Sequence, residues 1–436
     1  MLSKIKKLIP DTHPIRLIYH RILGMIAAII YRYPAGKLTV IGVTGTNGKT
    51  TCVNLITNIL RETGEKVGMT STINFQVGDK RWVNDTKQTT LSPFQLQKLL
   101  RQMVDGGCKY AVLEVSSHAV TQSRVYGVNF DLAMFTNVTP EHIEYHGSFD
   151  SYLDAKMRLF KWVANGKRKS DVKKTLVLNR DDEYFDHFDK YSADQKITYG
   201  MDSKAIVYAS DIKSTPSGNE FNLHVPNNTL PLKIKLPGKY NVYNAIAAAS
   251  CALGLLIPLD TIKSALENSA IVSGRFEHVD LGQKFDVIVD YAHTPDALDN
   301  LFSLYKELTK NRLFVVFGAT GGGRDKSKRP EMGQIANKYA DYIILTNDDP
   351  YEEDQIQIIN QIAEGVKKRE GEDFWKIPDR REAIRLALTK AKEGDTVVVA
   401  GKGAEEVIML GKERLKWNDK NVITELIKRE ISVNIE

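Results

Sequence analysis

A chain of 436 residues, 42% hydrophobic and 26% charged, is long and apolar enough for two or three domains with cores of their own, which argues against disorder. Its three cysteines, Cys52, Cys108 and Cys251, lie far apart with no C-x-x-C pair, so the composition supports neither a disulfide framework nor a cysteine zinc site and fits a cytoplasmic protein. The net charge of +6 does not mark a nucleic-acid binder, because residues 1–37 hold seven Lys or Arg against one Asp and the remainder is balanced, 53 against 53.

In chain order, the basic amino-terminal segment 1–36 contains the apolar run Ile22 to Ile30, too short to span a bilayer and lacking the small-residue cleavage site of a signal peptide. It reads as a helix docked on the protein, with weak contact to an anionic membrane surface as the alternative. Beyond Pro34-Ala35-Gly36, short β-branched runs alternate with helical patterns, the signature of an α/β fold with mainly parallel, buried strands. Each run leads into a polar or glycine-rich stretch: LTVIGV into TGTNGKTT, YAVLEV into SSHA, LAMFTNV into TPEH, TLVLN into RDDE, FDVIVD into YAHTPD, LFVVFG into ATGGGRDKSKRP, YIILT into NDDPYEED and TVVVA into GKGAEE. Ligands of open α/β sheets bind at the carboxyl ends of strands, so these junctions mark active-site rims. The stretch from about Lys204 to Pro237 predicts antiparallel strands at a sheet edge, and Ser273-Gly274 a boundary between a central domain, 37–272, and a carboxyl-terminal one, 273–436.

Gly45-Thr46-Asn47-Gly48-Lys49-Thr50-Thr51 sits between a predicted strand and a predicted amphipathic helix, the context a phosphate loop requires. Glycines admit phosphate oxygens to backbone N–H groups, Lys49 reaches the terminal phosphates and Thr50 offers a hydroxyl to magnesium. The strict pattern has glycine where this chain has Val43, so the loop is a variant.

GVTGTNGKTT resembles the nucleotide loop of the Mur ligases. LEVSSHAVTQSRV, FTNVTPEHIEYHGSFDSYLDAKMRLF, PGKYNVYNAIAAA, SGRFEHV, DYAHTPDAL, GGGRDKSKRPEMG, DRREAI and GKGAEE extend the resemblance over roughly residues 38–410, toward the tripeptide-synthetase branch. It implies a central phosphate-loop ATPase domain and a Rossmann-like carboxyl-terminal domain. The family's small uridine-binding first domain is expected to be absent, since only about forty residues precede the loop. It also implies ATP-dependent amide formation in peptidoglycan precursor synthesis: ATP phosphorylates an acceptor carboxylate, and an amino acid's amine displaces the phosphate. The partners expected are ATP, a muramoyl-dipeptide nucleotide and a free amino acid, acting on a monomer.

By that resemblance Thr50 and Glu114 hold one Mg2+, and His142 and Lys156, the latter as a carbamate, a second. The phosphate-loop residues with Asn244, Arg275, Asp290, Tyr291 and His293 contact ATP, and Thr89, Thr90, Ser116, Gln122 and Arg124 hold the acceptor. Arg324, Asp348, Asp349, Tyr351, Gly401 and Glu405 meet the incoming amino acid. Some of these residues read differently by themselves: Lys156 as a solvated surface lysine, His142 as a cap or core imidazole, and Thr89 and Thr90 as a loop with a helix cap before Pro93.

The chain departs from diaminopimelate-adding relatives where they present an Asp-Asn-Pro-Arg motif, its arginine meeting the distal carboxylate. Here Asp348-Asp349-Pro350-Tyr351 stands there, and Gly401-Lys402-Gly403-Ala404-Glu405 replaces a glycine-lysine-glycine-histidine-glutamate motif. The expected preference is for a basic amino acid, unless Arg380 or Arg381 restores the acid site. A folylpolyglutamate-synthase-like ligase and a non-catalytic nucleotide-binding partner subunit are the alternatives.

Overall fold

The computed structural model describes residues 12–170, 172–215, 217–270 and 273–431, and the chain divides into two compact units, 1–270 and 271–436. The sheet of the first unit runs β1 (Thr39–Thr44), β2 (Val67–Thr70), β3 (Asn74–Val77), β4 (Lys80–Val83), β5 (Tyr110–Glu114), β6 (Leu132–Phe135), β7 (Thr175–Asn179), β8 (Gln195–Gly200), β9 (Val207–Thr215), β10 (Gly218–Val225) and β11 (Asn228–Ile234). Its spatial order is β11-β10-β9-β8-β7-β6-β1-β5-β2-β3-β4. The middle strands pair in parallel, while β2-β3-β4 and β9-β10-β11 form antiparallel edges, the latter where the Thr- and Asn-rich stretch predicts them.

The β1, β5 and β6 sequences read as unbroken apolar runs because both sheet faces are covered. Ile41, Val112 and Met134 pack into a core with the helices Lys49–Glu62, Lys239–Gly254 and Leu259–Asn268. Their neighbours Val40, Leu113 and Phe135 enter a second core with the helices Pro93–Asp105 and Phe149–Asn165. Alternation along the strand thus selects the face rather than water or core.

The second unit carries β12 (Glu277–His278), β13 (Asp286–Asp290), β14 (Leu313–Phe317), β15 (Tyr342–Leu345), β16 (Phe374–Lys376) and β17 (Thr396–Ala400), in the order β12-β13-β17-β14-β15-β16. All but the β12 pairing are parallel. Each of the eight strand-to-polar junctions in the sequence falls at the carboxyl end of a parallel strand, four in each sheet.

The amino-terminal helix Pro14–Ile30 packs on the helix Pro93–Asp105. Gly24, Ala27 and Ala28 form its buried face, and the contact needs glycine: a Cβ at Gly24 would lie 2.7 Å from both the Ser123 carbonyl oxygen and the Tyr126 Cβ. Among the described residues no helix is long and apolar enough to cross a membrane.

Candidate active site

The loop after β1 turns into the helix Lys49–Glu62 through Gly48, whose φ of 83° is a left-handed value that a side chain disfavours. Space forbids one too: a Cβ there would sit 2.4 Å from Asn244 Oδ1, and one at Gly45 would sit 1.9 Å from Thr136 Oγ1. The loop is held from outside, the Thr46 N–H donating to the Asn137 carbonyl at 2.8 Å and the Asn47 N–H to the Asn137 side chain at 2.9 Å. Lys49 Nζ folds back to donate to the Thr46 carbonyl at 2.7 Å. Thr51, behind the loop, is buried. The helix amino terminus, with its unpaired first-turn N–H groups, makes this loop an anion cradle.

Glu114, at the end of β5 and 1% exposed, joins that cradle to a second loop. It accepts from Thr50 Oγ1 at 3.0 Å, from the Thr72 N–H at 2.8 Å and from Thr72 Oγ1 at 2.9 Å. Thr72 Oγ1 also lies 3.1 Å from Thr89 Oγ1, whose hydroxyl can donate to it, and Thr90 Oγ1 donates to the Glu114 carbonyl at 2.8 Å while accepting from the Ser116 N–H at 3.1 Å. Arg124 donates to the Thr90 carbonyl at 2.7 Å and to Gln122 at 2.8 Å, and Gln122 donates to Tyr145 Oη at 2.9 Å. Thr89, Thr90, Ser116, Gln122 and Arg124 are therefore joined to Glu114 in one hydrogen-bond network, through Thr72 and through the Glu114 backbone carbonyl. The cap of the Pro93 helix is Ser92, not either threonine.

Lys156 is not a surface lysine. It is 2% exposed, donates to the Gly45 carbonyl at 2.6 Å and lies 4.4 Å from the Tyr152 ring centroid. Burial, then the charge of Lys49, push its ammonium well below the usual lysine range, against the pull of Glu141 and Asp182. A neutral buried amine is the state that reacts with carbon dioxide to give a carbamate oxygen donor. His142 caps the short helix Ile143–His146 with a φ of 57°, its ring 4.6 Å from that of His118. His146 donates to or accepts from Ser117 Oγ at 3.0 Å, and burial, with His142 and Lys156 nearby, lowers its pKa to about 4.

These donors fit Mg2+, which binds few protein oxygens and completes its shell with phosphates and water. Thr50 and Glu114 offer hydroxyl and carboxylate oxygens 3.0 Å apart, and Lys156 beside the loop would add an oxygen donor as a carbamate. Among the described residues no three His, Cys, Asp or Glu side chains converge as a cage.

In the second unit Asp290, buried at the end of β13, accepts from the Phe276 N–H at 2.9 Å and the Ala292 N–H at 2.7 Å. Burial raises its pKa although Arg275 and these amides pull it down. Arg275 lies over the Tyr291 ring at 4.7 Å, and His293 Nδ1 is 2.9 Å from the Tyr291 carbonyl. The Gly401 N–H donates to the Asp290 carbonyl at 3.1 Å, which ties this group to the next.

There Lys402, wholly buried, meets Asp349 at 2.9 Å, Asp348 at 3.6 Å and the Glu405 carboxylate. Burial works against its charge, but Asp348, Glu405 and Asp349 outweigh burial and hold the ammonium above the usual range. Asp349 is therefore an engaged anion, also accepting from the Met409 N–H at 2.7 Å, rather than the open charge the sequence suggests. Tyr351, with a φ of 52°, lies against Gly322 and lines a cavity of about 650 Å³ with Gly323, Lys326, Glu352, Glu353 and Lys412. Arg324 is exposed on the loop between β14 and the helix Lys328–Tyr339. Arg380 is locked by Asp419 at 2.7 and 2.8 Å and by the Ala400 carbonyl at 2.9 Å, and Arg381 pairs with Glu425 at 3.0 Å.

Sequence reasoning missed Thr72, Asn137, Tyr152 and Lys402. Asn137, Tyr152 and Lys402 stand inside motifs singled out above, but nothing in their spacing says which side chain turns inward; Thr72 follows β2, outside every motif.

Two family profiles match the chain, the Mur ligase middle domain over residues 43–252 and the Mur ligase glutamate ligase domain over 274–403. The UDP-N-acetylmuramoyl-L-alanyl-D-glutamate–2,6-diaminopimelate ligase of Geobacillus kaustophilus is 42% identical over 408 residues, 94% of this chain and 82% of that protein. A solved structure of a ligase of the same name is 33% identical with a TM-score of 0.62, covering 90% of this chain and 79% of that one. The MurF ligase of Thermotoga maritima in complex with ADP shares the fold, at 17% identity, with a TM-score of 0.69 over 94% of this chain and 84% of that one. With both profiles matched and such identity sustained along its length, the chain belongs to the Mur ligase family of ATP-dependent, amide-forming enzymes, within its tripeptide-synthetase branch.

Proposed function

We propose that the chain adds the third amino acid to a muramoyl-dipeptide nucleotide by way of an acyl phosphate. The observation that carries this reading is the Glu114 hub, where one carboxylate bonds both Thr50 of the phosphate loop and Thr72, itself bonded to Thr89. In this reading donor and acceptor meet at that carboxylate, as phosphoryl transfer to a carboxylate requires. Mg2+ held by Thr50 and Glu114, with a second ion at His142 and the Lys156 carbamate, would neutralise charge on the phosphoryl oxygens. Lys49 supplies a fixed cation to the same oxygens, and Arg124 with Thr89, Thr90, Ser116 and Gln122 holds the acceptor. Asn244 beside Gly48 is a further ATP contact in this reading, and Arg275, Asp290, Tyr291 and His293 are ATP contacts that the family resemblance implies. Phosphate release measured across a matrix of muramoyl-dipeptide acceptors and amino acids tests the reading; no release with any pair would sink it.

The amino acid proposed is lysine or ornithine. Relatives are named for diaminopimelate, but the arginine expected to meet its distal carboxylate is Tyr351 here, and Arg380 and Arg381 are committed elsewhere. Arg324 is left for the α-carboxylate. Around Lys402 three carboxylates face one ammonium, an excess of negative charge that favours an incoming amine and disfavours a second carboxylate. The expected ratio of kcat/KM for L-lysine over meso-diaminopimelate on one acceptor exceeds one; a ratio below one overturns the specificity and leaves the ligase standing.

Thr72→Val should lower kcat about tenfold with little change in KM for ATP, since a hydrogen bond to a charged group is worth about 1.5–3 kcal/mol and the Thr72 N–H survives. Unchanged kcat would show that Glu114 needs no orienting hydroxyl.

A further inference from the structure

The amino-terminal helix carries a feature that ligation leaves unexplained. Of the eighteen large apolar side chains exposed among the described residues, eight lie on the helix Pro14–Ile30 and a ninth, Tyr33, just beyond it. Ile15 is 64% exposed, Ile18 59%, Ile22 45%, Ile29 56% and Ile30 59%. At 100° per residue these positions, with Tyr19, Met25 and Ile26, fall in one stripe about 140° wide and about 25 Å long. The opposite face, Gly24, Ala27 and Ala28, is already spent on the protein. Docking therefore leaves the helix apolar on its outer side as well, and a contiguous patch of that kind marks a binding surface.

The charges on the helix select the occupant. Arg16 projects about 40° beyond one border of the stripe and Arg21 about 40° beyond the other, with Arg32 exposed after the last turn. No Asp or Glu occurs between Asp11 and Glu62, while Lys4, Lys6 and Lys7 precede the helix in sequence. The helix itself therefore offers a partner protein of mixed charge no anion to pair with. Aliphatic side chains bordered by arginines, whose stems lie on apolar surface while their heads reach outward, match the boundary between acyl chains and anionic headgroups.

We propose that the outer face of this helix seats the enzyme, reversibly and without spanning, on an anionic lipid surface. The test is flotation of the full-length protein with vesicles of equal parts phosphatidylcholine and phosphatidylglycerol, against vesicles of phosphatidylcholine alone. Binding to the anionic vesicles is expected to be about tenfold tighter or more, and to weaken as salt rises from about 0.02 M to about 0.5 M. Ile18→Ser, Ile22→Ser and Ile29→Ser together should reduce it to background while ATP-dependent phosphate release in solution is kept, because these side chains are exposed and remote from the helix's buried face. Arg16→Gln with Arg21→Gln should weaken binding to the anionic vesicles and leave the weak binding to neutral ones unchanged. The proposal is overturned if the wild-type protein fails to float with anionic vesicles, or if the serine variant floats as well as wild type. It is equally overturned if wild type ignores vesicles but self-associates in sedimentation through a contact that the serine variant loses, which would make the face an interface between copies of the chain.

Discussion

Lys49→Ala is expected to lower ATP-dependent ligation by about 10³-fold or more and to leave the thermal midpoint nearly unchanged. Its ammonium is a fixed charge aimed at the anion cradle, and losing one preorganised donor to developing charge already costs about 10²–10³-fold. Its hydrogen bond is to the Thr46 carbonyl, three residues back in the same loop, so little packing depends on it. Phosphate release and thermal melting, measured on the same preparation, check both halves. Near-normal turnover in a folded variant would remove the phosphate-loop assignment and the reaction built on it.

Lys156→Ala should be inactive for a different reason. As an ammonium, Lys156 would place a buried cation near the partly buried Lys49; as a carbamate it becomes an oxygen donor and the repulsion turns to attraction. Truncation removes those oxygens, and acetate, a short carboxylate of similar chemistry, is expected to restore part of the rate. Because the side chain is wholly buried, the variant also loses about 2–5 kcal/mol of stability from the cavity, so activity is to be compared at a temperature where both proteins are folded. A separate readout avoids that complication: wild type incubated with ¹³C-bicarbonate should show a carbamate carbonyl resonance that the variant lacks. Full activity of Lys156→Ala would refute the assignment.

Both residues show how far the sequence reaches. The strand–loop–helix that carries Lys49 was legible because a phosphate loop is a local device: glycines, a lysine and a helix start follow one another within seven positions, and the strand and helix on either side are visible as apolar periodicity. Lys156 sits in a helix whose pattern alone makes it a surface residue. Only the packing of the helix Phe149–Asn165 against the β1 loop, with Lys156 on the Gly45 carbonyl 111 positions away, turns it inward. Asp349 shows the opposite error, a charge that looks open in sequence and is taken up by Lys402 across 53 positions.

What the sequence determined by itself is the alternation of strands and helices, the parallel sheets that follow from unbroken apolar runs, and the eight strand ends where polar chemistry collects. These depend on contacts within a few residues and on the periods 2 and 3.6, which a linear string preserves. Tertiary structure alone decided which polar residues at those ends meet: Thr72 with Glu114, Asn137 with the phosphate loop, Tyr152 with Lys156, and Lys402 with three carboxylates. It also decided that the amino-terminal helix is docked through Gly24, Ala27 and Ala28 and apolar on its far side. Hydrogen bonds and ion pairs act over about 3–4 Å in space regardless of separation along the chain, so their partners are fixed only when the sheets have brought distant loops to one edge.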